Sequence, residues 1–341
     1  MGKLLRQIVA LENLSRAWEE VTDEPVTPGI DGVTVEAFAR HWQANLVDLR
    51  QDVLGNRYRP APLVRFTIPK RDGSPRLLGN LTLRDKILQR AVLRILDDIY
   101  EAFFLACSYG YRQGRSVKHA VEQVVQARSW GYTWVLDADI DEFFHSLDHH
   151  LLFRFLSETI ADAQLLDLIV AWLTAHRPPG SDWPVGTPLG AIISPLLSNI
   201  YLHYLDLTMC GGMEALRQAE ERLTGRRADS ALLARYPALR QGQANPYNWV
   251  YIRYADDFIV LCRSPQQAEL ALHVVAQTLQ TLLLDIEWQK TAISSFDDGF
   301  EYLGCYFKGR DFYFRYQEQW IKVDQSSDWR LFYLHGPEGY R

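Results

Sequence analysis

Tyr251-Ile252-Arg253-Tyr254-Ala255-Asp256-Asp257-Phe258-Ile259-Val260-Leu261 places two adjacent carboxylates between runs rich in Val, Ile, Tyr and Phe. Runs of that composition read as buried strands. The acids fall where the run breaks, so a hairpin would carry both side chains at its tip. Asp is a poor strand former and costly to bury unpaired. Two of them between apolar strands ask for a compensating charge, and a divalent metal is the natural one. On turn chemistry alone the same pair is an ordinary polar hairpin turn. Its meaning therefore depends on what else the chain supplies.

Upstream, Thr133-Trp134-Val135-Leu136-Asp137-Ala138-Asp139-Ile140 reads as an apolar strand interrupted by acids at its end. Asp139 would sit at the rim of a sheet, ahead of Phe143-Phe144, and Asp137 would share its face at period two. A strand ending in Asp139 and a hairpin bearing Asp256-Asp257 make the arrangement that two-metal phosphoryl transfer needs. There, two Mg²⁺ about 3.5–4 Å apart clamp the attacking and leaving oxygens. Carboxylates suit this hard cation, which also shares substrate phosphate oxygens.

Elsewhere helical spacing predicts helices over 3–21, 35–54, 84–100, 117–129 and 150–175, with Thr34 and Ser116 as caps. A further helix runs from Ser194-Pro195 to about 207, and another from Ser264-Pro265 to about 284. Val64–Ile68 and Arg76–Leu78 flank Asp72-Gly73-Ser74 and read as a hairpin. Between Arg57 and Arg94 ten basic residues face only Asp72 and Asp85, a local excess of eight positive charges. That segment is either a phosphate clamp or a solvated basic face. Ser108-Tyr109-Gly110-Tyr111-Arg112-Gln113-Gly114-Arg115-Ser116 is a loop able to approach a nucleic-acid backbone. Asp148-His149-His150 reads as a capping or structural start to its helix, because adjacent histidines diverge on a helix. Residues 178–184 read as a loop and 209–248 as an irregular or helical insertion. The tail, 308–341, reads as β-structure followed by a loose end.

The chain has 341 residues, 48% hydrophobic and 23% charged, which suits a globular protein of about two domains. Its net charge of −6 excludes a uniformly basic nucleic-acid coat, so such binding would use a local patch. Four scattered cysteines argue against a cysteine zinc site or a disulfide framework. With no signal-peptide pattern and no run of 18 apolar residues, the expectation is a cytoplasmic protein without a membrane partner.

Taken in order, these motifs resemble those of reverse transcriptases of the group II intron-like lineage, over about residues 28–307. Pro28-Gly29-Ile30-Asp31-Gly32-Val33-Thr34 resembles the lineage's N-terminal extension motif. Ile68-Pro69-Lys70 with Arg76-Leu77-Leu78-Gly79 is similar to the first fingers motif, and Ser108–Ser116 to the second. Asp139-Ile140 with Phe143-Phe144 resembles the palm motif of the first catalytic Asp, Gly186–Asn199 the dNTP-side motif, and Tyr254-Ala255-Asp256-Asp257 the catalytic box. Lys290-Thr291 and Tyr302-Leu303-Gly304 resemble the last two motifs, the latter a primer grip.

The resemblance implies an α+β right-hand polymerase, fingers and palm, with an antiparallel palm sheet and a thumb short or absent. The expected divisions are an N-terminal helical extension (1–56), fingers (57–132 with part of 160–185), a palm (133–307, including the insertion) and the tail. It implies an RNA-directed DNA polymerase that uses two Mg²⁺, which Mn²⁺ can replace, with dNTPs, an RNA template and a DNA or RNA primer. Asp139, Asp256 and Asp257 would bind the metals, with the Ile140 carbonyl as an extra ligand. Lys70 and Arg76 would hold the triphosphate. Phe143 or Phe144, with Phe144 favoured by spacing, would exclude a ribose 2′-OH. Leu189, Gly190, Asn199 and Tyr254 would line the nucleotide and primer end, and Arg112, Arg115, Lys290, Leu303 and Gly304 would contact nucleic acid.

Two departures stand out. Pro188-Leu189-Gly190 replaces the lineage's usual Pro-Gln-Gly, which removes a polar side chain near the incoming nucleotide, and Gly79-Asn80-Leu81 replaces Gly-Ile-Pro. About 34 residues follow Phe307, too few for a thumb with maturase and endonuclease parts. Leu331–Arg341 resembles the opening strand of a CRISPR integrase, which implies a CRISPR-associated enzyme with integrase partners, acting in spacer acquisition from RNA. The alternatives are a nucleic-acid-binding scaffold with weak catalysis and a defence polymerase making untemplated products.

Overall fold

The computed structural model describes residues 2–23, 25–69, 75–175, 185–188, 190–210, 247–317, 319–324 and 326–337. Lys70, Leu189, the 178–184 loop and nearly all of the 209–248 insertion lie outside them. The chain divides into two compact units, Met1–Phe103 with Glu142–Tyr201, and Phe104–Asp141 with Leu202–Arg341.

The first unit is mainly helical. The spacing that predicts one helix over 3–21 is carried by two, Lys3–Ile8 and Leu11–Thr22, because Ala10 turns extended (φ −58°, ψ 136°) and caps the second. Leu14, Ala17, Trp18 and Val21 form its buried face, and Trp18 stacks on Phe38 with ring centroids 4.9 Å apart. The helices expected over 35–54 and 150–175 are likewise split, into Val35–Ala39 and Trp42–Leu54 and into His149–Thr159 and Ala163–Ala175. His41 and Ile160 leave helical geometry at the joints. Thr34 caps its helix as expected, accepting from the Ala37 amide at 3.1 Å. Asp148 does the same for Leu151, while His149 Nε2 lies 2.7 Å from the Gly186 carbonyl oxygen.

Helix Leu83–Glu101 begins at a polar knot. Asp85, 1% exposed, accepts from Thr82 Oγ1 at 2.7 Å, from the Ala61 amide at 3.2 Å and from the Tyr58 hydroxyl. Trp172 Nε1 in turn donates to Tyr58 Oη at 2.9 Å. Near the other end, burial pushes the Asp97 carboxyl up to about 6, with Asp98 and Glu101 adding repulsion and Arg90 opposing it. A carboxylate whose folded pKa exceeds its unfolded value (about 3.9) weakens the fold as pH rises between the two. Asp97→Asn should therefore stabilise the protein by about 1–2 kcal/mol at pH 7.5, after solvent screening, and do nothing at pH 4. Urea unfolding at both pH values checks this.

The basic segment forms the predicted antiparallel hairpin, β1 (Val64–Pro69) and β2 (Pro75–Asn80), with Ile68 opposite Arg76. Gly190 (φ +97°) lies so close to β2 that a Cβ there would overlap the Gly79 carbonyl oxygen.

Among its described residues the second unit holds two antiparallel sheets. β3 (Trp134–Ala138), β4 (Val250–Tyr254), β5 (Asp257–Cys262) and β6 (Ala292–Ser295) are ordered β4-β5-β3-β6. β7 (Phe300–Tyr302), β8 (Cys305–Lys308), β9 (Asp311–Tyr316) and β10 (Gln319–Lys322) follow as a meander. The α+β palm-type architecture read from the sequence is thus present. Helix Val117–Ser129 joins one face of the first sheet to an aromatic core that includes Phe296, Phe307 and Phe314. Ser116 stands at its start, but its hydroxyl pairs with His119 Nδ1 (3.2 Å) rather than a backbone amide.

The tail corrects one expectation. Ser326–His335 is a helix, where the sequence reading has a loose end and an integrase-like strand. Phe332 is fully buried, its ring centroid 5.4 Å from those of both Phe312 and Phe314. Trp329, three residues earlier, shares that helical face and packs on Phe312 at 5.1 Å. A period-3 aromatic pair facing an aromatic sheet fixes a helix there.

Candidate active site

The catalytic-box hairpin forms as read. Tyr254 and Asp257 pair across a two-residue loop, Ala255-Asp256. Ala255 has φ +59°, a left-handed backbone at a position where hairpins of this kind prefer Gly. β3 runs antiparallel to β5 with Asp137 opposite Ile259 and Ala138 opposite Phe258. One more step of that register brings Asp139 beside Asp257, with Asp137 on the same face. The sheet therefore gathers Asp139, Asp256 and Asp257 at one end, and Asp137 lies just behind them.

Electrostatics agrees with the register. Burial, then the like charges of Asp256, Asp139 and Asp137, push the Asp257 carboxyl up to about 7, and Lys290 pulls the other way. The residue stays exposed to solvent, which limits the burial contribution, so repulsion among the acids is the firmer cause. Asp137 is pushed up to about 6 by burial and by Asp139.

Asp139 is held by its surroundings. Its Oδ1 accepts from the Ile140 amide at 3.0 Å, and its carbonyl accepts from the Glu287 amide at 3.0 Å. Its Oδ2 meets Lys290 Nζ at 2.8 Å, with the lysine side chain 68% exposed. An ion pair so open to water is worth about 0–1 kcal/mol. Lys290, expected to contact nucleic acid, here supplies a counter-charge to the first acid.

Among the described residues no group of three or more His, Cys, Asp or Glu side chains is drawn into a ready ligand set. The donors nonetheless fit a hard divalent cation: they are carboxylates, they repel one another, and the lysine on Asp139 is a weak competitor. Mg²⁺ in phosphoryl transfer takes one or two carboxylates and completes its shell with waters and substrate phosphates. An open acid cluster suits that use.

The remaining predicted residues divide. Ile140 is buried and bridges Ile286. Tyr254 is buried at the foot of the Ala255-Asp256 turn, and that burial raises its hydroxyl pKa. Leu303 (φ +50°) and Gly304 (φ +74°) form the tight turn between β7 and β8. Arg112 is buried, its guanidinium donating to the carbonyls of Leu105 (2.6 Å) and Ser108 (2.7 Å), so it braces its loop from inside. That geometry does not match the nucleic-acid contact expected of it. Arg115 lies over the Tyr109 ring at 5.2 Å, half-buried.

In the first unit, Phe143 is 2% exposed and belongs to the core, whereas Phe144 keeps some access, the two rings meeting edge-on at 5.3 Å. Asn199 is buried on helix Ser194–Cys210. Arg76 lies in β2, while Lys70 and Leu189 lie outside the described residues.

Sequence reasoning left out Arg253 and Asp206, a fully buried ion pair directly behind the acids. One signal was available: an arginine inside an otherwise apolar strand needs a buried partner.

The profile of the family described as reverse transcriptase (RNA-dependent DNA polymerase) matches residues 68–307. Protein YkfC of Escherichia coli (strain K12) is 34% identical over 287 residues, covering 82% of this chain and 75% of YkfC. The group II intron-encoded protein LtrA of Lactococcus lactis subsp. cremoris is 29% identical over 320 residues, covering 82% of this chain and 51% of LtrA. The chain thus spans about half the length of LtrA. Among solved structures, apo telomerase from Candida tropicalis, truncated from its C-terminal domain, is similar with a TM-score of 0.48 and 12% identity. That match covers 78% of this chain and 59% of the telomerase chain. Among the described residues no helix is long and apolar enough to cross a membrane.

Proposed function

We propose, from the premise that this chain belongs to the reverse transcriptase (RNA-dependent DNA polymerase) family, that it extends a primer with dNTPs on an RNA template. The observation that carries this reading is the meeting of Asp139, Asp256 and Asp257 at one end of an antiparallel sheet. Asp139, Asp256 and Asp257 would hold the divalent ions, and the Ile140 carbonyl is proposed as a further ligand. When bound, such ions activate the primer 3′-oxygen and neutralise the charge on the leaving pyrophosphate.

The chain's own residues do the rest by position and charge. Lys290 steadies the Asp139 carboxylate through its ammonium. Tyr254, packed under the turn, keeps Asp257 in register at the head of β5. The roles of Lys70 and Arg76 on the triphosphate, of Phe144 against a ribose 2′-OH, and of Leu189, Gly190 and Asn199 at the nucleotide rest on the family resemblance. So do those of Arg115, Leu303 and Gly304 on the nucleic acid.

A place in CRISPR spacer acquisition, beside integrase proteins, rests on reading the last residues as an integrase strand. The part of that stretch up to His335 is helical, so the reading supported best is the polymerase itself, with no partner protein assigned.

Primer extension on a primed RNA template, with Mg²⁺ and dNTPs and with the products sequenced, tests the proposal. Products complementary to the RNA are expected. Products unrelated to the template would favour the defence-polymerase alternative. A folded protein that binds the duplex and extends nothing would favour the scaffold.

A further inference from the structure

Arg253 sits in the strand that leads into the catalytic turn, and no part of it reaches solvent. A guanidinium stays charged in proteins. Burying it costs several kcal/mol, and well-packed apolar residues often serve stability better than a buried ion pair. The contacts of Arg253 indicate what the buried charge does here.

Its Nε donates to Asp206 Oδ1 at 2.7 Å and its Nη2 to Asp206 Oδ2 at 2.6 Å, a two-pronged pair with helix Ser194–Cys210. Nη2 also donates to Ser108 Oγ at 2.8 Å. Nη1 reaches forward to the carbonyl of Ala255, again at 2.8 Å. Ala255 is the left-handed residue of the loop that carries Asp256 and leads to Asp257. That conformation costs a non-glycine residue about 1–2 kcal/mol, so something must hold it.

The backbone adds to the grip. The Arg253 amide donates to the Cys107 carbonyl and its own carbonyl accepts from Tyr109, both at 2.8 Å. Next in that loop, Gly110 lies so close that a Cβ would overlap the Ala255 nitrogen. The loop at 107–110, helix Ser194–Cys210 and the catalytic turn thus meet on one side chain.

We infer that Arg253 is a positioning residue: its guanidinium clasps the Ala255 carbonyl and fixes the strained turn that aims Asp256 and Asp257. The inference rests on the polymerase reading for the reaction and on the hydrogen bonds above for the clasp. Lysine at this position would keep the charge beside Asp206, but one ammonium lacks the planar fork needed to reach Asp206, Ser108 and Ala255 together. Ser108→Ala would remove a single strut.

The test uses the full chain and reads Mn²⁺ binding from the electron paramagnetic resonance signal of the free ion. In parallel it reads the Mg²⁺ dependence of single-turnover incorporation, duplex affinity and thermal unfolding. In Arg253→Lys the half-saturating Mn²⁺ concentration and the Mg²⁺ midpoint should both rise about ten-fold or more, the scale on which groups supporting metal ligands act. Duplex affinity should not change. Ser108→Ala should shift both midpoints about three-fold in the same direction, less than the ten-fold or more of that scale because the Asp206 and Ala255 contacts remain. A folded Arg253→Lys that loses thermal stability yet keeps both midpoints would overturn the inference, since a merely structural arginine behaves that way. If Arg253→Lys does not fold, an unmoved Mn²⁺ midpoint in Ser108→Ala overturns it. Wild-type protein that makes no DNA, with Mn²⁺ midpoints shifted in both variants, would sink the polymerase reading and support the clasp.

Discussion

Asp257→Asn is expected to abolish primer extension, lowering single-turnover incorporation by about three orders of magnitude or more, while the protein melts no earlier than wild type. The two halves of that result share a cause. Asp257 heads β5 beside the register position of Asp139 and directly after Asp256. Burial together with these like charges raises its carboxyl pKa toward neutrality. Asparagine keeps the volume of the side chain and removes its charge, so repulsion in the metal-free fold falls while the anionic ligand proposed for the metal is lost. A destabilised variant would have suggested a structural acid. Incorporation within ten-fold of wild type would show that Asp257 is not part of the chemistry.

Asp206→Ala should cost about 3–5 kcal/mol of unfolding free energy, the largest stability effect of any single substitution proposed for this chain. Both partners of the Asp206–Arg253 pair are fully buried. Removing the carboxylate takes away the charged partner at 2.6–2.7 Å, while the Ser108 hydroxyl and the Ala255 carbonyl, which stay, are neutral acceptors. That cost is the penalty for an uncompensated buried charge, and it exceeds what the intact pair contributes over apolar packing. Urea unfolding of Asp206→Ala against wild type measures it. A loss under about 1 kcal/mol would mean that water or a rearranged acid reaches Arg253, contrary to the close packing of the pair.

What the sequence revealed depended on the range of the interaction. Continuous apolar runs on either side of Asp256-Asp257, and the run ending at Asp139, located β3, β4 and β5 to within a residue or two, because strand composition is local. The hairpin around Asp72-Gly73-Ser74 was legible for the same reason. Helix joints were not: apolar spacing continues through Val9-Ala10 and Arg40-His41, and no Pro or Gly marks the breaks. The terminal helix was hidden because Leu331-Phe332-Tyr333-Leu334 has strand-like composition, and only the aromatic layer of β9 decides its conformation. The three acids were readable as a set from their order in the chain. The Arg253 clasp was not, since its acid lies 47 residues away and its serine 145. Arg112 misled for a related reason: a basic residue in a Gly-rich loop suggests a phosphate contact, whereas its five donors are also suited to bracing that loop's own carbonyls.

Single-nucleotide incorporation on a primed RNA template, with each dNTP offered alone opposite each template base and with and without Mg²⁺, separates templated synthesis by this chain from the alternatives. Incorporation of the complementary dNTP only, dependent on Mg²⁺ and absent in Asp257→Asn, is expected. Incorporation indifferent to the template base, or none from folded protein bound to the duplex, would contradict it.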